Sequence, residues 1–167
     1  MAEAVKGINQ ILLFRVLSDA ATKTGTKLAF QTEHEVTESK DSDSVPTKDG
    51  SISIPGVLET EISCTSILAK EDVMIKSLRD AMRANKLVEI WDIDKTAEGV
   101  AGKFPATYYQ GYVTEYSKTP GAEDLVEVSL SFAINGEGQD GEATLTDEQA
   151  EVVQYVFKDT TVAPGEV

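Results

Sequence analysis

Cysteine is almost missing from this chain: Cys64 stands alone in 167 residues. No disulfide can form within the chain, so a disulfide-stapled scaffold is excluded. Histidine is equally scarce. His34 alone leaves too few imidazoles for a His-based catalytic triad or a multi-His metal site. Basic residues are also short, with 15 Lys plus Arg against 29 Asp plus Glu and a formal net charge of −14. Readers of nucleic-acid sequence neutralise phosphate with Lys and Arg, so this balance argues against such a role. It argues equally against docking on anionic lipid. Long apolar runs are lacking too. The stretch Ile11–Phe14 is far short of the roughly 20 residues that span a bilayer, and Met1–Lys6 lacks the apolar core of a signal peptide. The expectation is a soluble chain made in a cytoplasm, forming one domain or one domain plus an arm.

What is present is period-two patterning. Residues 8–17 (INQILLFRVL) read as a strand with apolar groups on both faces. In 27–38, Leu28, Phe30 and Val36 share a face with Thr32 and His34, while Lys27, Gln31, Glu33, Glu35 and Thr37 share the other. In 52–66, Ile52, Ile54, Leu58, Ile62 and Cys64 alternate with Ser53, Glu59, Glu61, Ser63 and Thr65. Two half-buried strands follow. Between them, the polar stretch Glu38–Gly50 is either a long hairpin loop or an extension of the hairpin itself. The period changes at 70–84, where Met74, Leu78 and Met82 recur every fourth residue and predict one helix. Glu71 and Asp72 near its start, and Arg79, Arg83 and Lys86 near its end, suit the helix dipole. Asn85 is a candidate left-handed terminator. Strand pattern resumes at 87–94, at 106–117 with Tyr108, Tyr112 and Tyr116 on one parity, and most clearly at 125–134. The glycine-rich 135–142 reads as a flexible linker. Beyond it, Thr146 and Gln149 fit a helix cap, whereas Val152, Val153, Tyr155, Val156 and Phe157 favour a strand.

Sites of chemistry are hard to find. His34 on an apolar-parity face reads as packed or hydrogen-bonded, and Cys64 as an inert core thiol, since a reactive thiolate needs an electropositive setting. Trp91 reads as core or subunit interface. Asp41-Ser42-Asp43-Ser44-Val45 opens like a calcium loop, but the sixth position holds Pro46 where Gly is needed and the twelfth holds Ile52 where Glu is needed. Gly136-Glu137-Gly138 lacks the Gly-Lys-Ser/Thr that would cradle phosphate. No nucleophile, base and orienting group converge. No catalytic residue, metal or cofactor is expected.

The glutamates are more informative. If the two early strands pair as a hairpin about residue 47, Glu35 faces Glu59 and Glu33 faces Glu61. Like charges directly opposed destabilise a sheet. Either that face is simply wet, or a negative surface is required.

Three stretches resemble the major tail proteins of siphophages, the tail tube subunits, above all those of phages of Gram-positive bacteria. They are Lys6-Gly7-Ile8-Asn9-Gln10-Ile11-Leu12-Leu13; Lys70–Trp91, a helix feeding a strand with an aromatic; and Gly111-Tyr112-Val113-Thr114 followed by Asp124–Gly136. The resemblance implies a mainly β fold, a β-sandwich or small barrel flanked by one α-helix, with a long β-hairpin loop and terminal arms. It divides the chain into a tail tube domain, 1–135, and a linker with a C-terminal arm, 136–167. It implies a non-enzymatic virion protein assembled in the host cytoplasm. Hexameric rings stack into a tube, DNA passes through without specific binding, and no membrane is involved. Tape measure, distal tail and tail terminator proteins are the implied partners. On this reading Glu33, Glu35, Glu59 and Glu61 line the lumen, and Lys40, Asp41, Asp43, Pro46, Lys48 and Asp49 form an inter-ring stacking loop. Another β-rich tube-forming module, or an adhesion and receptor-binding module using the tyrosines at 108–116, is the alternative.

Overall fold

The computed structural model describes residues 2–96 and 102–146. Among these are β1 (Gln10–Val16), β2 (Phe30–Thr47), β3 (Gly50–Ile67), α1 (Val73–Arg83), β4 (Val88–Asp94), β5 (Lys103–Thr119), β6 (Glu127–Ile134) and β7 (Gln139–Thr144). All seven strands join one antiparallel sheet in the order β1-β4-β5-β6-β3-β2, with β7 on β5. The mainly β fold with one helix agrees with expectation. Strand β5 changes partners along its length. Its first half lies between β4 and β7, and its second half pairs with β6.

The sheet curls until its two end strands meet, yet among the described residues no backbone ladder joins β1 to β2. Side chains do so instead. The Gln31 amide donates to Leu12 O at 2.6 Å and accepts from Leu12 N at 3.1 Å. Leu12 is fully buried, so these two bonds satisfy backbone groups that water cannot reach. A second stitch joins His34 Nε2 to Asp92 Oδ1 at 3.1 Å. His34 is thus a hydrogen-bonded histidine, as its position in the sequence suggested.

The concave side holds the main core. Alternate residues of β1 (Leu12, Phe14, Val16), β3 (Ile62, Cys64), β4 (Val88, Ile90) and β6 (Val128, Leu130, Phe132) meet there, and Phe14 stacks on Phe132 at 5.4 Å. Helix α1 covers the core with Ile75, Leu78 and Ala81, while Met74 and Met82 are only partly buried. Asp72 starts the helix by accepting from the Met74 and Ile75 amides at 3.1 and 3.3 Å, a cap worth about 1 kcal/mol. Asn85 ends it at φ 53°, the left-handed turn expected of it. Gly111 has a steric reason. A Cβ there would stand 2.3 Å from the Ala133 carbonyl oxygen, where β5 crosses to β6. A second apolar cluster lies on the convex side of β1, β4 and β5, with Ile11, Leu13, Ile93, Phe104 and Leu145 buried against Trp91, Ala106 and Ala143.

The structure corrects three expectations. Residues 139–142, read as part of a flexible linker, belong to β7 with 143–144, and Gly136 with φ 64° makes the turn that leads into it. The alternation within β2 and β3 does not run unbroken, because Thr32 bulges out of β2 and an extra residue at Gly56–Val57 bulges out of β3. Phe30 therefore does not share the face of Val36 and is 57% exposed. The tyrosine parity of β5 is likewise broken by a bulge between Val113 and Glu115. Tyr112 pairs with Ala133 on the outer face, whereas Tyr116 pairs with the core residue Leu130. The choice between helix and strand for the C-terminal segment falls on residues 147–157, which lie outside the described residues.

Candidate functional site

The convex face of β2, β3, β6 and the second half of β5 is mainly polar, with Phe30, Ile67 and Ile54 among its apolar members. Strand register defines its membership, since directly paired residues project to the same side. From β2 come Glu33, Glu35, Thr37, Ser39, Asp41 and Asp43; from β3, Glu59, Glu61, Ser63 and Thr65. Strand β6 adds Glu127, Ser129, Ser131 and Ala133, and β5 adds Tyr112, Glu115, Ser117 and Thr119. No Lys or Arg occurs among these paired positions. All four glutamates singled out from the sequence lie on it and are exposed.

Their pairing is not the one expected. The hairpin turns at Lys48–Asp49, with Gly50 at φ 124°, and its register is displaced by four residues from the symmetric pairing about residue 47. Glu33 faces Thr65, Glu35 faces Ser63, Glu61 faces Thr37 and Glu59 faces Ser39. Each carboxylate meets a hydroxyl, and no two oppose directly. The face concentrates negative charge without the cross-strand penalty of like charges. Glu115, opposite Ser131, and Glu127, opposite Thr119, join it in the same manner. Sequence reasoning missed these two, because nothing in their own strands reveals that β6 lies next to β3.

The polar stretch 39–50 is strand up to its two-residue turn, so the extended-hairpin reading holds and the loop reading does not. Lys40, Asp41, Asp43 and Pro46 lie along β2, and Lys48 and Asp49 form the tip. Beyond Glu61, β3 no longer has β6 beside it, and the ribbon continues as two strands exposed on all sides except at half-buried Leu58 and buried Thr60.

Elsewhere the polar groups are structural. On the convex side of β1 and β4, the buried Glu89 carboxylate accepts from Arg15 Nε at 2.5 Å and from the Tyr108 hydroxyl at 2.6 Å. Burial pushes Glu89 up, but these two donors outweigh it and hold the group below its ordinary value. The Arg15 guanidinium also lies 5.0 Å from the Trp91 ring centre. Burial raises the Cys64 thiol to about 12, despite a backbone hydrogen bond with Leu130 that pulls the other way. The inert-thiol reading fits this environment. Among the described residues no three His, Cys, Asp or Glu side chains come together in a group that could hold a metal ion. None of the described helices is long and apolar enough to cross a membrane.

A curled sheet with an acidic outer face and a projecting ribbon describes a structural β-subunit with surfaces left open for other chains. Known proteins carry that description further. Residues 4–140 match the family model of the phage tail tube protein. A putative tail protein of Staphylococcus phage phiMR25 is 30% identical over 98% of this chain and 86% of its own length. The solved tail tube of SPP1 has the same fold, with a TM-score of 0.79 at 22% identity, covering 98% of this chain and 96% of that one. The tail of an empty gene transfer agent particle, solved with C6 symmetry, gives a TM-score of 0.63 at 12% identity over 81% of this chain and 98% of that one. The chain belongs to the phage tail tube protein family. It is a structural subunit of the virion tail.

Proposed function

We propose that six copies close into a ring, that rings stack into a tube, and that the acidic face of β2, β3, β6 and β5 lines the channel through which DNA leaves. The observation that supports the lining is the paired face without Lys or Arg, on which Glu33, Glu35, Glu59, Glu61, Glu115 and Glu127 are spaced by Ser and Thr. Duplex DNA carries one negative charge per about 1.7 Å of axis. A basic lining would hold it, whereas an acidic one keeps each contact weak. The C6 symmetry of the gene transfer agent tail supports the sixfold ring. The subunit performs no catalysis. Its further partners are the tape measure, distal tail and tail terminator proteins. Substituting Lys at both Glu35 and Glu59 leaves tubes assembling but slows or stops DNA release. Particles that eject DNA at the wild-type rate would refute the lining.

The ribbon that carries Lys40, Asp41, Asp43, Pro46, Lys48 and Asp49 bridges one ring to the next. Its length beyond the sheet supports this reading, because two strands without a third neighbour have little to hold them in place alone. Deleting Ser42–Pro55, so that Asp41 runs into Gly56 as a short turn, leaves the domain folded and blocks long tubes. Full-length tubes from that deletion would defeat the bridge.

A further inference from the structure

The outer end of the ribbon is not only polar. Val45, Ile52 and Ile54 are 38, 55 and 50% exposed. Their placement follows from the bulge. Between the pairs Lys40–Leu58 and Ser42–Pro55, β3 holds one residue more than β2, so Gly56 and Val57 share the position opposite Asp41. Past that point the parity of β3 is inverted. Ile54 pairs with Asp43 and Ile52 with Val45, which puts all three apolar side chains on the side of Ser39 and Glu59 rather than on the core side. Gly56 suits the position, since a Cβ there would come within 3.0 Å of the Asp41 carbonyl oxygen.

An exposed apolar cluster on a ribbon with no third strand marks a contact surface. Charge indicates the occupant. Residues 44–57 contain one Lys and one Asp, net zero, with Asp43 opposite Ile54 at their inner edge, in a chain of net charge −14. Two copies of so acidic a chain repel over most of their surface. The neutral end of the ribbon is where a like chain can approach without opposing its own field. We propose that the Val45–Ile52–Ile54 face grips a second copy of this chain, and that the bulge at Gly56–Val57 aims it there. This rests on the bridging role of the ribbon and names the side chains that make the contact, which are apolar rather than the six polar residues singled out from the sequence.

Two double variants with equal charge change test the face. Ile52→Asp with Ile54→Asp alters the apolar side. Ser44→Asp with Ser53→Asp alters the opposite side, where those serines pair with each other. Tubes are counted by negative-stain microscopy at matched concentration, and folding is followed by circular dichroism on heating. The isoleucine pair loses tubes tenfold or more with an unchanged melt, while the serine pair stays within twofold of wild type. Isoleucine variants that assemble within twofold of wild type, or equal losses from both pairs, overturn the face assignment. If the Ser42–Pro55 deletion also assembles, the bridge itself has failed; if only the deletion is defective, the bridge stands and the face is wrong. A polarity-sensitive fluorophore on Ile54→Cys gives a second reading, since Cys64 is buried. Its emission shifts to the blue on assembly and not in dilute monomer. A shift already present in the monomer means the ribbon end rests on its own body, and overturns the proposal.

Discussion

The β2–β3 hairpin behaves as two different objects along its length. Its inner half is flanked by β6 on one side and stitched to β1 and β4 on the other, and there Ile62, Cys64 and Ser66 alternate strictly with exposed or half-exposed neighbours. Its outer half has the same strand geometry and similar residue types, but past Leu58 its described residues are exposed on both sides. Alternation in a strand shows which residues share a face. It shows which face is buried only where another layer is present to bury it.

The largest contrast is in stability. Phe132 is fully buried against Phe14, and Phe132→Ala costs about 3–5 kcal/mol. Ile52→Ala, on the outer ribbon, changes the monomer by no more than about 0.5 kcal/mol. Urea denaturation of the two variants measures both, and equal losses would erase the distinction between body and ribbon.

Next is the ion pair beneath Trp91. Arg15→Ala strands a buried carboxylate at Glu89 and costs about 3 kcal/mol. The pH dependence has a definite sign. Glu89 titrates below an ordinary glutamate, so its contribution is fully present above the unfolded value of about 4.3 and is lost as pH falls through the lower folded value. The stability difference between wild type and Glu89→Gln therefore narrows on acidification below about pH 4, read from denaturation at several pH values.

A smaller effect tests the seam that ties the inner ribbon to β1. Gln31→Ala leaves both backbone groups of buried Leu12 without their partner. A loss of about 2 kcal/mol is expected, with faster hydrogen exchange at the Leu12 amide than at Ile90 in the middle of the sheet. Smallest is the effect of salt. Screening within about 8–10 Å at moderate ionic strength weakens repulsion between acidic copies, so light scattering from assembling subunits rises modestly from low to moderate salt. A fall would mean that ion pairs, not apolar contacts, join the copies.

Much of the fold could be read from the chain because its signals were local. Val128, Leu130 and Phe132 announce β6 without help from any other segment, and Asp72 followed by the spacing of Leu78 and Met82 announces α1. The four glutamates were legible as an exposed set for the same reason. Their register was not, because it depends on where the turn falls and on two bulges that leave no mark in a polar sequence. Glu115 and Glu127 belong to the same surface only through strand order, which is a long-range property. Strand β7 was hidden by glycines: Gly136 is needed for the turn, while Gly141 sits in a paired position, opposite Ala106.

The surplus residue at Gly56–Val57 has a consequence for how related chains can be compared. Removing one residue there would close the bulge and keep the pairs Ser42–Pro55, Asp43–Ile54 and Val45–Ile52, so both isoleucines would stay on their present side. An alignment records such a change as a single gap. The surface barely registers it, whereas pairing every residue without the bulge would slide Ile54 opposite Ser44 and Ile52 opposite Pro46 and turn both to the other side, a change that leaves no gap at all. Two chains with matching letters at this hairpin can therefore present opposite chemistry to the same neighbour, and whether the bulge is formed predicts their compatibility better than the count of residues between Leu58 and the turn does.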